Sequence, residues 1–295
     1  MTVADVAPES VDEEGRRPSV WRAIVASTQG RVGLGLGGLV LLVILFGRFS
    51  TPYPPDAIGV GGNAVGPSAD HLLGTDSLGR DTFSRLLVGG TTIILIPLAA
   101  VGLAWIVGGT LGMFAAYKGG AIDAVISRAF DVLLALPALL FVLVAIAALG
   151  TSSTVLVLTI MLVYIPRMGR IARGATQGVI GLEYVAAAQA RGERTAAIVF
   201  REVLPNVLSP TTADFALRIT YGVIFVATLN FLGLGVQPPK ADWGTMVAEG
   251  RGFIELNPLA TLAPAAMIAT LSVGLNLIAD AFTEHITRGQ EVAPV

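Results

Sequence analysis

The stretch Glu183–Asn206 reads EYVAAAQARGERTAAIVFREVLPN and is more polar than the apolar runs on either side of it. Three consecutive alanines at positions 186–188 favour a helix, and Gly192 permits a turn after it. We predict a second helical piece over residues 194–203, ended by Pro205. The stretch therefore indicates two short helices held outside the membrane, between two spans of a helical membrane protein.

The arginines of this stretch leave two interpretations open. Arg191, Arg194 and Arg201 would face water, anionic lipid headgroups or a protein partner. An amphipathic helix that lies on the membrane surface without any partner explains the same residues equally well. The residues alone do not choose between a docking helix and an interfacial helix.

The composition of the 295-residue chain is that of a membrane-embedded protein. Hydrophobic residues make up 54% of the chain and charged residues 14%, whereas soluble domains carry about 25% charged residues. The chain has no cysteine, which excludes disulfides, thiolate metal sites and cysteine nucleophiles. Its two histidines, His71 and His285, lie far apart in sequence, so we expect no histidine-based metal site.

Six apolar runs approach the length of about 20 residues that spans a bilayer. They predict an all-α membrane protein whose transmembrane domain covers residues 32–288. Proline lies inside some of these runs, where packed neighbouring helices satisfy the carbonyls that it frees. The predicted spans cover residues 32–49, 88–117, 132–149, 155–171, 213–236 and 259–282.

The rest of the chain is assigned by polarity. Residues 1–31 are an acidic, polar segment that we predict to be a disordered cytoplasmic tail and lead-in. Residues 172–212 form the longest inner loop, which contains the opening stretch, and residues 289–295 form a short C-terminal tail.

The distribution of Lys and Arg predicts that both termini face the cytoplasm. With the N-terminus inside, thirteen basic residues fall in inner segments: Arg16, Arg17, Arg22, Arg31, Lys118, Arg128, Arg167, Arg170, Arg173, Arg191, Arg194, Arg201 and Arg288. Five fall in outer segments: Arg48, Arg80, Arg85, Lys240 and Arg251. Six spans return the C-terminus to the same side as the N-terminus.

The segment HLLGTDSLGRD, residues 71–81, nearly matches a phosphate-binding loop. The lysine and the magnesium-binding Ser/Thr of that motif are replaced by Arg80 and Asp81, and no buried strand precedes it. We therefore exclude nucleotide binding in this outer segment. Glycine turns and an ion pair at helical spacing, either Asp76–Arg80 or Asp81–Arg85, are the structural expectation.

The second outer segment, residues 229–251, reads LNFLGLGVQPPKADWGTMVAEGR. Two glycines end a helix, Pro238 and Pro239 prevent its continuation, and Trp243 suits the membrane interface. Its position at the outer mouth is compatible with docking of an external protein. A lid that contacts only its own bundle is the equally weighted alternative.

Polar residues inside the spans are sparse. Asp214 and Arg218 are expected to pair, as are Arg128 and Asp131, and we expect no unpaired charge in the middle of a span, which argues against a proton-coupled carrier. Uncharged polar residues in spans bridge helices more often than they contact substrate. The candidates for lining a route are Thr220, Asn230, Ser272 and Asn276.

Two glycine pairs with three residues between them, Gly33 with Gly37 and Gly108 with Gly112, predict close helix crossings. The crossings could lie within this chain or against a partner chain.

EYVAAAQARG followed by VLPN resembles the EAA loop of ABC-importer permeases, the binding-protein-dependent transport family. In that family the loop forms short helices that dock into a groove of the ATPase subunit. The namesake glutamate falls at Ala186 here, and Glu183 lies one helical turn earlier. The resemblance implies that the residues coupling the chain to an ATPase are Glu183, Tyr184, Ala186, Ala187, Ala188, Arg191, Gly192, Arg194, Leu204 and Pro205.

The two outer segments resemble those of the C-type permease subunit of dipeptide and oligopeptide importers. YKGGAID, SRAFDVLLALP and NLIADAFTEHITR fit the same pattern, except that Ala279 replaces a usual glycine. The resemblance runs from about His71 to Arg288 and implies the type I importer fold with six spans. It also implies an outer gate or a docking site for a binding protein at Asp76, Arg80, Asp81, Pro238, Lys240 and Trp243.

The resemblance implies a non-catalytic subunit in the cytoplasmic (inner) membrane of a bacterium. Its expected partners are a different sibling permease, an extracellular substrate-binding protein, membrane lipid, and either two ATP-binding subunits or one fused tandem ATPase. ATP and Mg²⁺ would be bound by those ATPase subunits; no cofactor, metal or nucleic acid is expected on this chain. The implied cargo is di- or oligopeptides, with haem, nickel chelates and sugars as the alternatives within the subfamily.

A secondary transporter and an intramembrane enzyme are the two other functional classes for a chain of this composition. A self-sufficient secondary transporter requires buried ionisable residues, and an intramembrane enzyme requires paired Asp, Ser/Lys or His motifs inside the spans. The sequence shows neither pattern. Uptake by this chain alone, driven by an ion gradient, would distinguish the secondary transporter from an ATP-driven permease.

Overall fold

The computed structural model describes residues 24–291, with side-chain surroundings given for all of these except residues 209, 210 and 285–291. Most of the predicted N-terminal tail and the last four residues of the C-terminal tail lie outside the described residues. Twelve α-helices are described: α1 Thr28–Gly47, α2 Thr82–Val88, α3 Thr91–Ala104, α4 Thr110–Lys118, α5 Gly120–Ala135, α6 Ala138–Leu149, α7 Ser153–Val179, α8 Glu183–Ala190, α9 Thr195–Ala197, α10 Leu204–Phe231, α11 Trp243–Gly250 and α12 Leu259–Glu291.

Five helical runs in the described part of the chain are long and apolar enough to cross a membrane. They are Thr28–Gly47, Thr82–Lys118, Ser153–Val179, Thr211–Phe231 and Leu259–Glu284. The pair α5 and α6 passes the same test together, which makes six spans if the pair is one. The all-α membrane fold is thereby confirmed. The first run begins at Thr28, four residues before the predicted start, because the side chain of Ser27 caps it by accepting from the N–H of Gly30.

The predicted third span, residues 132–149, contains a sharp bend at its proline. It starts inside α5 and crosses a bend of 85° into α6. The bend lies at Leu136 and Pro137, where the backbone of Leu136 is extended. Proline lacks an N–H and disfavours helical backbone in the residue before it, so the helix ends and a new one begins.

Glycine permits the close crossing of α4 with α7. A Cβ on Gly112 would lie 2.1 Å from the carbonyl oxygen of Gly169, and a Cβ on Gly108 would lie 2.3 Å from that of Ile165. α1 crosses α12 in the same way, since a Cβ on Gly274 would lie 2.8 Å from the amide nitrogen of Gly37. Both predicted glycine crossings therefore lie within this chain.

The prediction that Pro205 ends a helical piece is wrong. After α9, a π-helical turn over Ile198–Val203 leads directly into α10, and Pro205 lies in the first turn of α10. Proline is favoured at that position because the N–H it lacks would have no partner within the helix. The candidate spans on either side end at Val179 and begin at Thr211, so residues 180–210, including α8, lie between them.

The buried apolar residues form two clusters. The larger one runs through the bundle and includes residues of α3, α7, α10 and α12. The smaller one lies at the inner end and contains Met113, Ala172, Val185, Ala188, Ile198, Val199, Val203 and Val207; we call it the inner cluster. Because the inner cluster draws on α4, α7, α8 and α10, it fixes α8 against three long helices.

Candidate functional site

α8 has one buried face and one exposed face. Val185 and Ala188, three residues apart and therefore on the same side of the helix, are fully buried in the inner cluster. Glu183, Ala186 and Ala187 are exposed. α8 is thus anchored by small apolar side chains and presents a smooth, alanine-rich surface to its surroundings.

The turn after α8 depends on glycine. Gly192 has a φ of +71°, in the left-handed region that residues with a Cβ rarely adopt. The backbone N–H of Glu193 donates to the carbonyl of Ala188 at 3.2 Å, which closes the helix end. The side chain of Arg191 pairs with Glu193 at 2.7 Å, and both are partly or fully exposed.

The predicted coupling residues fall into two groups. Tyr184 and Leu204 pack at the edge of the inner cluster, and Ala188 is buried within it, so these three position the helix and do not form its outer surface. The remaining predicted residues are exposed: Glu183, Ala186, Ala187, Arg191, Gly192, Arg194 and Pro205. Their docking role stays a prediction.

Sequence reasoning missed the surface that supports α8. Met113 of α4, Ala172 of α7 and Val203 beside α10 are all at most 3% exposed. The available signal was the spacing of Val185 and Ala188, which marks a buried face without showing what covers it.

At the outer end, two arginines and two carboxylates form a buried charge network. Arg80 donates through Nε to Asp76 at 2.5 Å and through Nη2 to Glu249 at 2.8 Å. Arg85 lies 3.6 Å from Asp76 and 3.8 Å from Glu249. The network joins the loop before α2 to α11, and the predicted Asp76–Arg80 pair is confirmed.

Asp81 does not pair with Arg85. Its carboxylate caps α2 by accepting from the N–H of Ser84 at 2.7 Å, and it lies 2.9 Å from Nδ1 of His71. A capping carboxylate at a helix N-terminus satisfies a backbone donor that has no partner within the helix. The glycine turns predicted for this segment are present, with positive φ at Gly74 and Gly79.

Four of the residues predicted for the outer gate or docking site are enclosed by their own chain. Trp243 is fully buried, and its Nε1 donates to the carbonyl of Leu86 at 2.7 Å. Asp76, Arg80 and Asp81 are at most 6% exposed. These side chains hold the outer segments together, and their role at a gate or docking site stays a prediction. Pro238 and Lys240 are exposed and stay predictions.

Two of the four predicted pathway residues are buried within this chain, and the pathway role of all four stays a prediction. Asn230 is fully buried, and its Oδ1 accepts from the N–H of Val236 at 3.1 Å, which fastens the loop after α10. Thr220 is 4% exposed and donates to a carbonyl of its own helix. Ser272 has a buried hydroxyl without a hydrogen-bond partner among the described residues. Asn276 is exposed and donates to Asp280 at 3.1 Å.

An open groove of about 320 Å³ lies between α7 and α10. Asp214 and Arg218 pair there at 2.8 and 3.0 Å, as predicted. Arg167 lines the same groove, and no carboxylate of the described residues pairs with it. Because Arg167 lies four residues from the inner end of the predicted span 155–171, the expectation of no unpaired charge in the middle of a span stays a prediction.

The arginines nearer the inner end of α7 are paired. Arg173 donates twice to Asp123 at 2.6 Å. Asp131 pairs with Arg170, and Arg128 lies 3.8 Å from the same carboxylate, so the predicted pair is present as part of a triad.

Residues 108–292 match the family described as "Binding-protein-dependent transport system inner membrane component". The chain belongs to this family. Membership establishes a multi-pass subunit of an inner-membrane ABC transport system, which works with a partner permease and with ATPase subunits and is not itself an enzyme.

The similar proteins include three transport permeases. The chain is 35% identical to the dipeptide transport system permease protein DppC of Alkalihalophilus pseudofirmus over 86% of this chain and 84% of that protein. It is 38% identical to the probable D,D-dipeptide transport system permease protein DdpC of Escherichia coli, over 82% and 81% respectively. It is 34% identical to the glutathione transport system permease protein GsiD of Pectobacterium atrosepticum, over 86% and 85%.

A chain of the inward-facing MetNI methionine ABC transporter has a similar fold. The TM-score is 0.56 at 14% sequence identity, and the match covers 69% of this chain and 97% of that chain. At this identity the similarity concerns the fold alone, and it confirms that the family's helical bundle is the architecture of this permease.

Proposed function

We propose that this permease forms one half of the translocation path of an ATP-driven importer of short peptides. A different sibling permease completes the path, and an extracellular binding protein delivers the cargo. ATP and Mg²⁺ are bound by two ATP-binding subunits or by one fused tandem ATPase. The names of the similar permeases, which refer to dipeptides, D,D-dipeptides and glutathione, support the peptide assignment.

The observation that carries the proposal is how α8 packs: one face is buried in the inner cluster and the other is exposed. Its exposed alanine face lets another protein approach closely, while Val185 and Ala188 are buried against the ends of three long helices. A force on α8 therefore reaches α4, α7 and α10 together, because a close-packed cluster moves as a unit. This is the arrangement that a subunit without its own ATPase needs.

Coupling also requires that the ATPase subunits bind α8 differently in their two states. A partner that bound both conformations of the bundle equally well would shift nothing, however tightly it bound. We propose that closure of the ATPase subunits on ATP draws α8 and the inner cluster with it, which alternates the bundle between inward-open and outward-open states.

The test uses the complete complex in liposomes, with Ala187→Arg in α8. Ala187 is exposed, so the new side chain leaves the inner cluster intact and obstructs only the outer surface of α8. We expect ATP-driven peptide uptake to fall about tenfold or more, which corresponds to at least about 1.4 kcal/mol of lost interaction. ATP hydrolysis and assembly of the complex are measured in parallel.

Ala121→Arg is the matched control. Ala121 is also exposed, lies near the start of α5 and belongs neither to α8 nor to the inner cluster, and the chemical change is the same. Uptake by the control should equal that of the unmodified complex. Equal uptake by the two variants would contradict the coupling role of α8.

The cargo is tested separately from the mechanism. Peptides, haem, nickel chelates and sugars are compared for stimulation of ATP hydrolysis and for uptake, each with its cognate binding protein. ATP-driven uptake of one of the other compounds without uptake of peptides would replace the cargo and leave the role of the subunit unchanged. Uptake by this chain without any ATPase would contradict that role.

A further inference from the structure

The groove between α7 and α10 places two arginines in a lining that is mostly apolar. Its volume of about 320 Å³ is in the range of small-molecule sites. It is lined by Arg167 and Tyr164 on α7, by Arg218, Tyr221 and Thr228 on α10, and by Ala138 at the start of α6, together with the apolar side chains Val163, Ile224 and Phe225.

The groove carries a positive charge that the described residues do not neutralise. Asp214 holds Arg218 through two hydrogen bonds, and this pair is close to neutral. Arg167 donates one N–H to the carbonyl of Val163 at 2.9 Å, and its guanidinium lies 5.9 Å from the ring centre of Tyr164. A guanidinium has five N–H donors, so most of those on Arg167 remain available to a ligand.

The position of Arg167 argues against a purely lipid-facing role. It is half-buried on α7, a helix whose length and composition suit a membrane span. An arginine on such a helix faces water, a water-filled cavity or another protein, because hydrocarbon does not solvate a charge. The groove therefore opens toward an aqueous route or a partner subunit.

The break between α5 and α6 adds to the positive potential. Ala138, the first residue of α6, lines the groove, and no side chain caps the amides of this 12-residue helix. A helix N-terminus carries a partial positive charge and free N–H groups. The break thus places a second source of positive potential beside the unpaired guanidinium.

We propose that this groove binds the free carboxylate of the cargo during translocation, with Arg167 as the group that contacts it. The inference deepens the proposed function and rests on it, since a short peptide is the cargo that brings both a carboxylate and apolar side chains. A guanidinium recognises a carboxylate through two parallel hydrogen bonds. Tyr221, Ile224 and Phe225 supply the apolar wall for the peptide side chain.

The test is a protection experiment on the complete complex in liposomes. The natural chain has no cysteine, so Thr228→Cys places a single thiol on the exposed rim of the groove, where the native hydroxyl bonds only to its own helix. The labelling rate of this chain by a small thiol reagent is measured with dialanine and with dialanine amide, without the binding protein. Dialanine should slow labelling, and the amide should not.

The variants identify the group responsible. In the Thr228→Cys background, Arg167→Gln should raise the dialanine concentration needed for protection about tenfold, as expected when a charged hydrogen-bonding partner is lost. Arg167→Lys keeps the charge, so the dialanine concentration that it needs for protection should lie between those of the Thr228→Cys protein with Arg167 and the protein with Arg167→Gln. Arg170→Gln is the control, because Arg170 lies on the same helix and pairs with Asp131 outside the groove; protection should be unchanged. Equal protection by dialanine and its amide, or full protection with Arg167→Gln, would overturn the proposal.

A lipid phosphate is the competing source of negative charge. Labelling is therefore repeated without peptide in vesicles of phosphatidylcholine alone and of phosphatidylcholine with phosphatidylglycerol. Protection by the anionic lipid that depends on Arg167, with none by dialanine, would assign the groove to lipid and overturn the carboxylate site. ATP-driven peptide uptake by the unmodified complex is measured separately. A complex that imports peptides but shows no dialanine protection refutes only the site, whereas one that imports no peptide refutes the proposed cargo.

Discussion

Asp242 is a buried carboxylate that organises the outer end of the bundle. One of its oxygens accepts from the N–H groups of Gly244 and Thr245, which caps α11, and the other accepts from the hydroxyl of Thr92. Burial raises the pKa of Asp242, and these hydrogen bonds oppose the shift only in part. The carboxylate therefore holds three donors together while its charge is unfavourable in the folded state.

The raised pKa of Asp242 predicts how stability depends on pH. Because the folded pKa lies above the unfolded value of about 3.9, this group's contribution to stability is fully present below about pH 4 and is lost as the pH rises through the folded pKa. Asp242→Asn keeps an N-capping side chain and removes the charge. We expect the variant to gain stability relative to the unmodified protein as the pH rises.

Thermal unfolding in detergent, followed between about pH 4 and pH 8, measures this difference. Asp242→Ala is the comparison variant, because it removes the cap and leaves the amides of α11 without an acceptor. The free energy of unfolding of Asp242→Ala should be lower than that of the unmodified protein by about 1–2 kcal/mol at neutral pH. A stability difference between Asp242→Asn and the unmodified protein that does not change with pH would contradict the assigned pKa shift.

The crossing of α4 with α7 shows how the helices of the bundle approach one another. At Gly112 a side chain would meet the backbone of Gly169 and not a movable side chain. Backbone cannot yield without separating the helices, and lost contacts within a close-packed interior are not recovered. The separation of α4 and α7 at this crossing therefore depends on glycine at position 112.

Gly112→Ala should destabilise the protein, whereas Gly102→Ala should not. Both glycines are helical, so each substitution gains about 1 kcal/mol of helix propensity. The variants differ in the space for the new methyl group, because a Cβ at Gly102 of α3 meets nothing within 4 Å. We expect Gly112→Ala to lower stability by about 1–3 kcal/mol, the usual cost of overpacking. Thermal unfolding of the two variants in one detergent makes the comparison. Equal unfolding temperatures would contradict the close crossing.

The buried charge network and the inner cluster mark opposite ends of the molecule. Arg85 of the network and Met113 of the inner cluster are 28 positions apart on the run Thr82–Lys118, which corresponds to about 42 Å of helix. A bilayer with its headgroups is about 40–45 Å thick. The two features therefore lie toward opposite ends of this run, and α8 lies at the end with the inner cluster.

This separation predicts which positions are accessible from each side. A cysteine introduced at Lys240 should react with an impermeant thiol reagent in intact cells, and one at Arg194 should react only after permeabilisation. Both native side chains are exposed, so burial within the chain does not explain a missing reaction. A cysteine at Ala121 serves as a second inner position away from α8. Labelling of Arg194→Cys from outside would overturn the orientation.

The sequence by itself determined the features that depend on near neighbours. Apolar runs long enough to span a bilayer, the partly exposed α8 between two spans, and the ion pair Asp214–Arg218 on α10 all follow from spacing along one segment. A residue four positions away on a helix is a spatial neighbour whatever the rest of the chain does. Asp76 and Arg80 also pair, but in a turn, where the carboxylate of Asp76 accepts from the backbone N–H of Arg80. The proline break was visible as Pro137, but its bend of 85° was not.

Only the tertiary structure decided which polar residues are enclosed and which face open space. Arg80 donates to Glu249, 169 positions away, and the indole N–H of Trp243 donates to the carbonyl of Leu86, 157 positions away. Because of these contacts, residues predicted at the surface are buried, while Arg167 lies beside an open groove and has no carboxylate partner among the described residues. Burial and pairing of this kind depend on how whole helices pack, and sequence spacing carries no information about segments so far apart.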